Sequence, residues 1–152
     1  MPVPTREQLR AWADDYVKLW NAGDKAAWEK NWRSVAPGDF SMFDPVGTPM
    51  KRGIEECALD AWDLFQPTVR FHVPKETLFF NEGHVAWVMQ NRFEHKGRQT
   101  SANSIETYEF GEDGSVQIRT YYDVPSHEHE SMGDLYKVYQ PTLPEGSPTD
   151  DE

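Results

Sequence analysis

The order of periodicities along this chain constrains its fold more than any single motif. Three stretches with helical spacing come first, and a run of strands joined by tight turns follows. Thr5 and Gln8 form a capping-box pattern ahead of Leu9, Trp12, Tyr16, Leu19 and Trp20, which recur every three or four residues. This predicts a helix over 6–21, stopped by Gly23. Asp24 caps a second helix carrying Trp28 and Trp32, which Pro37-Gly38 ends, and a strand over Asp39–Phe43 comes next. Ile54, Ala58, Ala61, Trp62 and Phe65 mark a third helix, ended before Pro67. Strands are then expected over Thr68–Val73, Thr77–Phe80, His84–Glu94, Arg98–Phe110 and Ser115–Asp123. Val85, Trp87, Met89 and Phe93 alternate, so one face of their strand is buried. Helices first and a meander second imply an α+β layer fold. A curved, mostly antiparallel sheet wrapped by three N-terminal helices leaves a concave face, where small ligands bind.

Length and charge narrow the function classes. A chain of 152 residues suits one domain with one core. The net charge is −11, from 26 acids and 15 bases, which opposes nucleic acid and anionic membranes as partners. A single cysteine, Cys57, allows no intrachain disulfide, in keeping with a reducing, cytoplasmic setting. The N-terminal stretch has no long apolar run and nothing nears 18 consecutive apolar residues, so neither a signal peptide nor a membrane span is expected. The expected domain covers residues 1–140, and the Pro- and acid-rich stretch 141–152 is expected to be a disordered acidic tail.

Three places could carry chemistry. At Asp44 an apolar strand gives way to Pro45, Gly47, Pro49 and Gly53. Asp44 is either a turn former or a general base at the rim of an apolar cavity, where desolvation favours proton uptake. Tyr16, on the apolar stripe of the first helix, is either a core tyrosine or a donor to a developing oxyanion. In the last hairpin, facing Phe110 with Ser115 puts Glu106 opposite Arg119, Ser104 opposite Tyr121 and Ala102 opposite Asp123. Glu106 and Arg119 would then form a cross-strand ion pair. His127-Glu128-His129-Glu130 offers ligands at i, i+2 but no third partner in sequence, so no metal and no cofactor are expected.

Tyr in the first helix, "NAGD" at its end, the "DPVG" loop and "DGSVQIRTYYD" over residues 113–123 together resemble a known group. These features are similar to ketosteroid isomerases and the wider SnoaL-like group, which share the cone-shaped fold of nuclear transport factor 2. The likeness spans residues 6–124. It implies that Asp44 is the general base, that Tyr16 belongs to the oxyanion hole, and that Glu106 stands where the isomerases carry a protonated Asp. That division of roles is the known chemistry of ketosteroid isomerase. The likeness also puts Glu106, Arg119, Tyr121 and Asp123 inside the cone, with Asp123 as acid/base of the SnoaL-like cyclases. Ser104, Tyr108, Trp62 and Trp87 join Arg119 and Tyr121 as the expected substrate contacts. An Arg119 partner would keep Glu106 ionised and unable to donate. The implied activity is cofactor-independent isomerisation or elimination on a small, hydrophobic, oxygenated, aromatic or polycyclic molecule. The alternatives are a non-catalytic ligand-binding or dimerisation module, and an epoxide hydrolase or polyketide cyclase using Asp44, Arg119 and Asp123. The likeness further implies a homodimer through the outer sheet face, to which Ile105, Val116 and Ile118 would contribute. Residues 126–140 would fold over the cone mouth or the partner.

Overall fold

The computed structural model describes residues 2–95, 97–123 and Tyr139. The expected tail, the His127–Glu130 cluster and, Tyr139 apart, the segment 126–140 lie outside the described residues.

Helix α1 spans Arg6–Ala22. Its capping box forms as expected: Gln8 N donates to Thr5 Oγ1 at 3.1 Å, and Thr5 N donates to Gln8 Oε1 at 2.8 Å. Gly23, at φ 73°, closes the helix in the left-handed region that suits glycine. Helix α2 spans Lys25–Val35 and is capped by Asp24, which accepts from Ala27 N. The third helical stretch is split. A single π-helical turn, Glu55–Leu59, runs into α3, Asp60–Phe65.

The strands are β1 (Phe40–Phe43), β2 (Lys51–Arg52), β3 (Val69–His72), β4 (Phe79–Asn81), β5 (His84–His95), β6 (Arg98–Phe110) and β7 (Val116–Tyr122). Thr77, expected to open a strand, instead ends a 3-10 turn, Lys75–Thr77. The two-residue β2 is too short to show a period. The sheet runs β2-β1-β7-β6-β5-β3, with β4 also on β5. It is mixed and open: β1 runs parallel to β7, and the other pairs are antiparallel. The parallel pairing brings the end of β1, and so Asp44, beside the last strand.

The β6–β7 hairpin corrects the expected register by one residue. Phe110 pairs with Val116. The turn takes in Ser115, whose carbonyl accepts from Gly111 N at 2.9 Å while Asp113 Oδ1 accepts from Ser115 N. Glu106 therefore faces Thr120, Ser104 faces Tyr122, and Arg119 falls opposite Thr107. One step of slip turns every side chain to the other face. Val116, Ile118, Thr120 and Tyr122 point into the cone, and Arg119 and Tyr121 point away. Val116 and Ile118 are thus core residues, not part of an outer dimer surface; Ile105 is 51% exposed on that outer face.

The cone is filled from the helices by indoles. Trp12 stacks on Trp87 of β5, with ring centres 5.4 Å apart. Trp28, Trp32 and Trp62 pack around the same interior. Gly38 is fixed by a close backbone approach. Its N–H donates to Gly114 O at 2.8 Å, and a β-carbon there would stand 2.8 Å from Asp113 O. Gly38→Ala is therefore expected to cost about 1–3 kcal/mol through backbone displacement, read as a lower urea midpoint. Among the described residues no helix is long and apolar enough to cross a membrane.

Candidate active site

The inner face of the sheet and the helices enclose a hollow of about 70 Å³. Asp44, Glu106, Tyr16 and Tyr108 all line it, and so do Asn91, Thr120, Tyr122 and Tyr139.

Asp44 stands at the end of β1, partly buried, in a net of hydroxyls. Its Oδ1 accepts from the hydroxyls of Thr120 and, at 2.8 Å, Tyr122; its Oδ2 accepts from the Tyr139 hydroxyl at 2.9 Å. The loop beyond it is tied down where Val46 N donates to Thr120 O. These donors come from three positions outside the loop that Asp44 opens.

Glu106 is buried in the sheet's inner face. Its Oε1 accepts from Trp87 Nε1 at 2.6 Å and from the Tyr108 hydroxyl at 2.9 Å, and its Oε2 accepts from Ser104 Oγ at 3.2 Å. Asn91 Nδ2 donates in turn to Ser104 Oγ and to Ala102 O, which fixes the amide's orientation, because a backbone carbonyl only accepts. Burial pushes the Glu106 carboxyl up to about 7. The three donors pull it down, and the Asp44 charge adds to the rise. The expected Arg119 partner is absent from this wall: its guanidinium lies over the Phe43 ring, 5.9 Å from the centre. With Oε1 taken by two donors and Oε2 by one, Oε2 is the oxygen with room for a proton.

Tyr16 and Tyr108 pack together, with ring centres 6.3 Å apart, and burial raises both phenols well above their ordinary value. They stay protonated donors at any physiological pH. Cys57 also lines the hollow, but burial lifts its thiol to about 12, so it is no nucleophile.

The expected site residues separate into three sets. Tyr16, Asp44, Glu106 and Tyr108 meet in the hollow. Ser104 and Trp87 stand behind it as hydrogen-bond donors to Glu106, and Trp62 backs its wall through Trp20 and Trp28. Arg119, Tyr121 and Asp123 do not enter it. Tyr121 is exposed on the outer face, and exposed Asp123 accepts from Asn103 N at the end of β7. Thr120, Tyr122, Asn91 and Tyr139 were not among the expected residues. The alternation Val116, Ile118, Thr120, Tyr122 carries the signal for two of them; nothing local marks Tyr139. Among the described residues no three His, Cys, Asp or Glu side chains group as metal ligands.

Glu106 gives a pH signature. Its folded value lies above the ordinary 4.5. Below about 4.5 both states hold the proton; between about 4.5 and 7 only the folded state does, so stability falls as pH rises through that window. The loss amounts to roughly 3 kcal/mol and levels off above about 7. Glu106→Gln should remove this slope. Urea midpoints at pH 5 and pH 8 check it, and parallel changes in the two proteins would contradict a buried proton.

No family model matches the chain, and no curated protein matches it. Solved structures do. A candidate SnoaL-like polyketide cyclase from Jannaschia sp. CCS1 superposes with a TM-score of 0.64 at 14% identity, covering 86% of this chain and 94% of that one. The chain has the SnoaL-like, nuclear transport factor 2-like fold. Two further structures agree. The epoxide hydrolase/cyclase-like enzyme SalBIII, of pyran ring formation in the polyether salinomycin, gives a TM-score of 0.61 at 15% identity over 78% of this chain and 94% of that one. A nuclear transport factor 2-like protein of unknown function from Cytophaga hutchinsonii ATCC 33406 gives 0.53 at 12% identity over 78% and 100%. At such identities the SnoaL-like likeness carries the fold, and the chemistry must be argued from the site.

Proposed function

We propose that this SnoaL-like protein is a cofactor-independent acid/base enzyme, an isomerase or lyase. Its substrate is a small, largely apolar, oxygenated molecule with an enolisable carbonyl. The observation that carries this reading is the pair of carboxyl groups lining one hollow at different depths, Glu106 buried and Asp44 partly buried. Pairs of this kind divide acid and base roles between them.

Asp44 takes the proton from the carbon next to the carbonyl. The electron pair moves onto the carbonyl oxygen, where Glu106 Oε2–H and the Tyr16 hydroxyl receive the developing charge. Isomerisation ends when the carbon framework takes the proton back from Asp44 at a second position. Elimination ends when the enolate re-forms the carbonyl and expels a β-hydroxyl, which leaves as water with the proton that Asp44 had taken. The epoxide-hydrolase reading loses support, because Arg119 and Asp123 do not reach the hollow with Asp44. The dimer, the absence of nucleic-acid and membrane partners, and a cytoplasmic setting remain parts of the proposal.

Proton exchange tests it directly. Wild-type protein in D₂O should speed the loss of α-proton NMR signal from cyclic enolisable ketones such as tetralones and cyclohexenones, and Asp44→Asn should not. Wild-type protein inert toward the whole panel would favour the ligand-binding module.

A further inference from the structure

Tyr139 is held in its place as a bound phenol would be. Its side chain is 7% exposed and lines the hollow with Asp44. Its hydroxyl donates to Asp44 Oδ2 at 2.9 Å. Its ring meets Phe65 edge to face, with centres 5.2 Å apart. The Lys51 ammonium stands 4.3 Å from the ring centre, within cation–π range, and donates to the Tyr139 carbonyl at 3.3 Å. Polar acceptor, aromatic wall and cation over the ring are the three parts of a phenol site.

The hollow's size says what this seat is for. At about 70 Å³ it is well below the roughly 150 Å³ that accommodates benzene in an engineered core. A ring-sized ligand reaches Asp44 only by taking space now filled by a side chain. Tyr139 comes from far along the chain, 95 residues beyond Asp44, from a helical position after the last strand of the sheet.

We infer that the seat of Tyr139 on Asp44, Phe65 and Lys51 is a subsite for a phenolic or enolic ring of the ligand, which the chain's own tyrosine occupies when no ligand is bound. Ligand and Tyr139 compete for one acceptor, Asp44 Oδ2. This places a hydroxylated ring against the proposed base. It rests on the reading of the hollow as a ligand site and not on turnover.

The test is binding of p-cresol, the free form of a tyrosine side chain, measured by calorimetry with toluene as control. Tyr139→Ala empties the seat. It should bind p-cresol about tenfold or more tightly than wild type does, because the internal competitor is gone. Toluene should bind that variant about tenfold or more weakly than p-cresol, because a hydrogen bond to a charged acceptor is lost. Tyr139→Phe keeps the ring and drops the anchor, so its affinity for p-cresol should fall between the other two. That variant also decides the matter if Tyr139→Ala does not fold, as judged by near-ultraviolet circular dichroism. Equal p-cresol affinity in wild type and the folded variants overturns the inference, and so does equal binding of toluene and p-cresol. Phenol binding without proton exchange would sink the enzyme and keep the subsite; exchange lost in Asp44→Asn without phenol binding would do the reverse.

Discussion

Asp44→Asn is expected to lower the proposed proton exchange by about 10²–10⁴-fold, the range that a positioned general base contributes. The substitution is a clean one in this setting. An asparagine carbonyl still accepts from Thr120 and Tyr122, which hold Oδ1 from β7. The amide nitrogen that replaces Oδ2 can donate to the Tyr139 hydroxyl, which reverses that bond without emptying it. The cavity's shape is kept, and what is lost is the lone pair that takes the proton. Ligand affinity should therefore change far less than the rate, so the loss falls on kcat. Exchange rates for wild type and variant on the same ketone, with affinity measured separately, give the division. A variant that exchanges at the wild-type rate removes Asp44 from the chemistry, and the hydroxyl net around it becomes an architectural joint.

Trp12→Ala costs about 3–5 kcal/mol of folding stability, the range for truncating a large buried aromatic. Trp12 is 1% exposed and touches five rings: Tyr16, Trp32, Trp87, Tyr108 and Phe110, all with centres within 5.5 Å. Its own Nε1 is buried without a hydrogen-bond partner, so removing it also relieves one unmet donor and keeps the cost from running higher. The site feels the loss as well. Trp12 stacks on Trp87, and Trp87 donates the 2.6 Å bond to Glu106. A looser Trp87 weakens a donor that holds the Glu106 carboxyl down, so the group should take up its proton more readily still. Urea unfolding measures the first effect. The pH at which stability stops falling measures the second, and it should move upward. A loss under about 1 kcal/mol would mean that the helices close over the gap, which this ring contact pattern does not foresee.

The helices were legible from their ends and stripes. Thr5 and Gln8 carry their own hydrogen bonds within four residues, and Gly23 and Asp24 mark the boundary between α1 and α2 on local backbone grounds. The bounds of β6, Arg98–Phe110, were readable from the turns at each end. Asp44 and Tyr16 could be singled out because each departs from the pattern around it. The hairpin register was not readable. Whether Ser115 belongs to the turn or to the strand depends on bonds among Gly111, Asp113 and Ser115 that form only in the folded turn.

By itself, then, the sequence determined what local physics can determine: the helix caps, the alternation of buried and exposed positions, and a carboxyl at a strand's end. Tertiary structure alone decided which of the acids share a hollow. A single step of register sent Arg119 outward and left Glu106 with neutral donors. Burial of that carboxyl, which the outward-pointing Arg119 does not offset and the three donors offset only in part, is why it holds its proton to about 7. The contact of Tyr139 with Asp44 likewise joins positions 95 residues apart, a distance over which periodicity carries no information.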